Sequence, residues 1–133
     1  PADLVAAPRD PFVAGFTGAN VLRGKASRSA AGLTEIALES GATVYSTDER
    51  RGPVSVVIHP WEIALAAEAA DESSLNHLRA EVSSLVSLGN RVRVRVGPLT
   101  AEVSAASAER LRLAPGSSVV ASFKATATRL LPR

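Results

Sequence analysis

Glycine and proline cut this chain into short runs of alternating residues, and that punctuation excludes most architectures. Arg91 to Val96 alternates without a break, with Val92, Val94 and Val96 on one face. Gly89-Asn90 precedes this run and Gly97-Pro98 follows it, both tight-turn signals. Leu99, Ala101 and Val103 form the next inward face, and Val54, Val56 and Ile58 form another between the polar connection 49–53 and Pro60. Val21 to Ser29, Leu33 to Glu39, Thr43 to Thr47 and Leu78 to Leu88 read as further strands. Ser117 to Leu131 reads as a final strand pair or one long strand. Helical signals are brief. Ser104 caps a short helix over Ala105 to Leu111, and Asp10-Pro11 opens another that carries Phe12, Val13 and Phe16. Parallel strands need crossovers of a dozen residues or more. No helical run here is that long, so about eight short strands predict an all-β chain of small barrels.

The chemistry that the chain can carry is narrow. Cysteine is absent, which excludes disulfides, thiolate metal sites and thiol catalysis. His59 and His77 are the only histidines, too few and too isolated for a metal centre. No Gly-rich loop ends in Gly-Lys-Ser/Thr, so the chain has no Walker motif with which to hydrolyse ATP. No Ser/His/acid set or carboxylate pair stands out, and the expectation is a non-enzyme. The net charge of +2 gives a weak global field, so anion binding would need a local site. The chain has no continuous apolar stretch near the ~18 residues of a membrane span and no secretory pattern. It begins at Pro1 and contains no methionine, from which we expect a piece of a longer chain.

A repeat runs through the sequence. Residues 17–24 (TGANVLRG) are similar to residues 73–80 (SSLNHLRA), an offset of 73 minus 17, or 56. Asn20 aligns with Asn76, Leu22 with Leu78 and Arg23 with Arg79. Val56-Val57-Ile58-His59-Pro60 and Ala121-Ser122-Phe123-Lys124-Ala125 each close a half with a strand and a basic residue. Halves of about sixty residues are marginal alone, so they are expected to share a core. The divisions are a helical junction over 1–18, a first half over 19–68 and a second over 69–133.

These residues carry a resemblance to a known family. Pro1 to Leu4 with Pro8 to Ala14, Phe16 to Gly24, and Val56 to Ile63 look like the C-terminal regulatory domain, of TOBE/MOP-like type, in ATP-binding subunits of molybdate-type ABC importers. Residues 73–82 and 97–124 are similar to its molybdate-binding half. The resemblance implies two OB-like (MOP-like) barrels that exchange strands between halves, with short helices. It implies molybdate or tungstate as a ligand rather than a resident cofactor. It also implies a homodimer formed through the ATPase subunit, membrane permease subunits as partners, and a cytoplasmic place at the inner face of the membrane. Carried over residue by residue, the oxyanion-binding positions are Ser73, Ser74, Asn76, Lys124 and Thr126. The family's pattern has an arginine before the asparagine, where this chain has Ala19 and Leu75.

Plainer roles compete at each position. Lys124 also fits a solvated strand end, Ser73 and Ser74 fit a linker, and Asn20 and Asn76 fit turn caps. Ser107 fits a helix surface, and Trp61 a core or interface anchor. Two other functions remain open: a dimerisation domain without ligand, and an OB module that binds nucleic acid through Arg91, Arg93 and Arg95. The second would need aromatic platforms between the arginines, and the five aromatic residues do not interleave with them.

Overall fold

The computed structural model describes residues 18–28, 32–69 and 75–133. The anticipated helices and junction before residue 18, together with Ser73 and Ser74, lie outside them. The described residues form ten strands: β1 (Asn20–Arg28), β2 (Thr34–Leu38), β3 (Thr43–Ser46), β4 (Gly52–Ile58), β5 (Ala64–Ala66), β6 (Leu75–Leu88), β7 (Arg91–Val96), β8 (Leu99–Ser104), β9 (Ser118–Lys124) and β10 (Arg129–Pro132). One α-helix, α1 (Ala105–Arg110), and 3-10 turns at Pro60–Glu62 and Ala125–Ala127 complete the elements.

All pairings are antiparallel, in two five-stranded sheets of the same plan. The first runs β10-β4-β1-β2-β3 and the second β5-β9-β6-β7-β8. Strands β1 to β4 thus correspond to β6 to β9. The fifth strand of each sheet comes from the other half: β5 follows β4 in sequence but pairs with β9, and β10 follows β9 but pairs with β4. This is the strand exchange that the resemblance implied. Two compact units result. One contains the described residues up to His59 plus Ala125–Arg133, and the other is Pro60–Lys124. They depart from the chain-order halves 19–68 and 69–133 because each exchanged segment folds with the sheet that it completes.

In the first unit the alternation read from sequence is the burial pattern. Ile36, Val44, Val54, Val56 and Ile58 are buried, and Leu130 joins them from β10. Burying that one leucine stabilises the exchanged strand by about 1.5–3 kcal/mol. Polar contacts fix the same strand. Arg129 Nε and the Leu130 N–H both donate to Asp48 Oδ2, at 2.9 and 3.0 Å. The Ser46 hydroxyl donates to the Thr128 carbonyl and accepts from the Asp48 N–H, and Thr34 Oγ1 donates to the Asp48 carbonyl. Burial opposes the ionisation of Asp48. The Leu130 N–H, the Arg129 hydrogen bond and the charges of Arg129 and Arg50 outweigh it and hold the carboxyl below its ordinary range.

The second unit packs around Val82, Val92, Val94, Val96, Val103 and Val119. The β6–β7 hairpin turns at Gly89-Asn90, with Gly89 at φ 67° and Leu88 opposite Arg91. Helix α1 sits where the first unit has only residues 47–51. Ser104 caps it by accepting the Ser107 N–H at 3.0 Å, and Ala105, Ala108 and Leu113 pack on the valine cluster.

The structure has more strands than the eight expected. Ala64–Ala66 is too short and too alanine-rich to show a period, yet it pairs with Ser122, Ala121 and Val120. The run after Ser117 divides into β9, a 3-10 turn and β10. Strand β6 begins at Leu75 rather than Leu78, because residues 75–77 pair with 122–124.

Candidate functional site

The proposed oxyanion residues cluster where β6 begins and β9 ends. Leu75 pairs with Lys124, Asn76 with Phe123 and His77 with Ser122. Residues directly opposite in an antiparallel pair project from the same face, and successive residues from opposite faces. The register therefore sorts the candidates. Asn76 shares the buried face with Phe123; their exposures are 5% and 1%. Lys124 shares the other face with Ser122, itself buried, and with half-buried His77, and the lysine side chain is exposed.

On that face His77 Nδ1 and Ser122 Oγ lie 3.0 Å apart in a partly buried hydrogen bond. The lysine thus shares its strand face with a hydroxyl and an imidazole that are bonded to each other, residue types that can bind an oxyanion. Ser122 escaped the reading from sequence. Its only local signal is that it lies two residues before Lys124 and so shares its face; its partner His77 follows from the register alone. Thr126 is exposed on the 3-10 turn Ala125–Ala127, which folds with the first unit. Among the expected residues the structure brings Lys124 together with His77 and Ser122. It sets the side chain of Asn76 on the reverse face, from which it can only orient the start of β6.

The first unit has a counterpart. Asn20 opens β1 opposite Ile58, the last residue of β4, and His59 follows where Lys124 stands in the second unit. Asn20 is buried, and its side-chain amide donates to the Ile58 carbonyl at 3.0 Å. This bond ties β1 to the end of β4.

Arg91, Arg93 and Arg95 are drawn into the sheet. Arg91 Nε lies 3.4 Å and Arg93 Nε 3.2 Å from the two carboxylate oxygens of Glu102, while Arg95 donates to Thr100 Oγ1 at 3.2 Å. Ser107 lies on α1, where its hydroxyl contacts Ser104 and Arg110.

In comparison with known families, residues 72–130 match the model described as the TOBE domain. The match runs from just before β6 to the middle of β10, so the matched stretch includes Asn76, His77, Ser122 and Lys124. Across 128 residues, 92% of the chain, the sequence is 30% identical to the molybdate/tungstate import ATP-binding protein WtpC of Pyrococcus abyssi (strain GE5 / Orsay). The chain spans 36% of that relative's length. Among solved structures it is similar to the cytoplasmic molybdate-binding protein ModG, crystallised with molybdate bound. The TM-score is 0.75 at 21% identity, covering 86% of this chain and 96% of that one. That likeness shows the MOP/OB-like fold over most of the chain. No helix among the described residues is long and apolar enough to cross a membrane.

Proposed function

We propose that this chain is a regulatory and dimerisation domain of an ABC importer's ATP-binding subunit, and that it senses molybdate or tungstate in the cytoplasm. The observation that carries the reading is the exposed Lys124 on the strand face of the His77–Ser122 pair, within the stretch that matches the TOBE domain model, in a chain whose relative is named for molybdate/tungstate import. Lys124 is the cation, Ser122 and the preceding Ser73 and Ser74 supply hydroxyls, and Asn76 orients the start of β6.

Accumulated cargo would bind here and hold the transporter idle. Such coupling requires tighter binding to one conformation of the dimer than to the other. An anion shared by two copies of the domain supplies that difference by clamping them together. The parent subunit would then sit at the inner face of the membrane against its permease partners.

Titration calorimetry with molybdate, tungstate and sulfate tests the reading. A charge-assisted hydrogen bond is worth about 1.5–3 kcal/mol, so Lys124→Ala should weaken molybdate binding roughly ten- to hundredfold. Arg91→Ala should leave it unchanged. Absence of heat from the wild-type chain at about millimolar molybdate and tungstate would sink the sensor reading. A dimerisation domain without ligand would then stand, and one observation favours it: Ala19 and Leu75 stand where the family places an arginine, and Ala19 is buried.

A further inference from the structure

A cleft in the first unit is lined by residues that the oxyanion reading does not use. It has a volume of about 570 Å³ and is lined by Arg28, Leu33, Thr34, Glu49, Arg50 and Arg51. The register explains why they meet. Arg28 ends β1 opposite Thr34, the first residue of β2, and Ala26 lies opposite Gly52, the first residue of β4. Residues 49–51 lead directly into that strand. Asn20 opens β1 at its other end, eight residues away, about 26 Å at 3.3 Å per residue.

The arginines of this cleft differ from five others among the described residues. Arg79, Arg91, Arg93, Arg129 and Arg133 each lie against a carboxylate. Among the described residues no acidic side chain comes within ion-pair distance of Arg28 or Arg51. Arg50 is oriented by one hydrogen bond, from Nε to the Leu130 carbonyl at 3.3 Å. Three arginines and one acidic residue, Glu49, thus line the cleft, and none of the three forms an ion pair with Glu49.

We propose that this cleft binds a phosphorylated small molecule of the nucleoside diphosphate class. Guanidinium forks match phosphate oxygens with paired hydrogen bonds. A lone tetrahedral oxyanion would fill little of the space, whose volume lies within the range of small-molecule sites, roughly 300–1,000 Å³. Leu33, half-buried, offers an apolar wall for a base or sugar. Glu49 accepts hydrogen bonds from hydroxyl or amino groups and repels a ligand that is anionic along its whole length, which disfavours an acidic peptide. Strand addition by a peptide is also closed here, because β1 and β2 both have neighbours on each side in the sheet.

Calorimetric titration of the chain with ADP, in buffer free of magnesium and phosphate, tests the proposal, with inorganic diphosphate and tetraglutamate as separate titrants. ADP should bind with a submillimolar constant and more tightly than either of the others. Arg28→Ala/Arg51→Ala should weaken it at least about tenfold without lowering the melting temperature, since both side chains are exposed. Lys124→Ala should leave ADP affinity unchanged, which separates this site from the oxyanion reading. No ADP binding at about millimolar concentration, or equal binding by the double variant, would overturn it. Diphosphate or tetraglutamate binding as tightly as ADP would overturn it too.

Discussion

The two units share one sheet plan but close it by opposite means. In the first, a connection of only residues 47–51 joins β3 to β4, and Asp48 within it holds β10 through Arg129 and the Leu130 N–H. In the second, the equivalent connection holds α1, and Ala105 and Ala108 of the helix, with Leu113 after it, pack on the valine cluster. A polar latch over buried Ser46 and Thr128 does in one unit what an apolar lid does in the other. The topology therefore tolerates either solution, and the free energy that closes each unit should respond to different perturbations.

The largest effect is expected at a position that the units share. Phe123 and Ile58 are the last buried strand residues before the two basic residues, at 1% and 0% exposure. Phe123→Ala should cost about 3–5 kcal/mol and Ile58→Ala about 2–5 kcal/mol in chemical denaturation. Losses below about 1 kcal/mol at either would mean that the strand ends do not anchor their sheets.

Gly24 and Ala80 are the next test, being aligned in the repeat. A Cβ on Gly24 would lie 2.6 Å from Ile36 Cγ2 and 2.8 Å from the Ala37 carbonyl oxygen. Gly24→Ala should destabilise by about 1–3 kcal/mol through overpacking. The second unit accommodates Ala80 and places a glycine across from it: a Cβ on Gly97 would come 2.9 Å from Ala80 Cβ. A neutral Gly24→Ala, read by thermal melting, would show that β1 and β2 lie farther apart than described.

A smaller effect separates the two closures by pH. Because the Asp48 carboxyl titrates below its unfolded value, its contribution is present in full above about pH 4 and is lost as pH falls through the folded value. Asp48→Asn should lower stability at neutral pH by about 1–2 kcal/mol and flatten the acid limb of the stability profile. An acid limb unchanged by the substitution would contradict the latch.

Much of this molecule was legible in its sequence, and the remainder was hidden for physical reasons. Strands β2, β3, β7 and β8 announce themselves because one face of each is the more buried, so alternation and burial coincide. The Ser104 cap was visible because capping is local. The exchange of β5 and β10 has no local signature and came only through the family resemblance. The Asp48 latch joins residues 81 and 82 apart in the chain. The pairing of His77 with Ser122 depends on the register between β6 and β9, which also sets Asn76 and Lys124 on opposite faces. Sequence adjacency to a motif does not determine which face a side chain takes.

Whether the second unit alone carries the oxyanion site is tested most directly by following backbone amide resonances during a molybdate titration. The amides of Asn76, His77, Ser122 and Lys124 should shift together and saturate, and Lys124→Ala should move the midpoint roughly ten- to hundredfold. The amides of Asn20 and Ile58 should stay in place. Saturable shifts confined to the first unit, or none at about millimolar molybdate, would contradict a sensing site on β6 and β9.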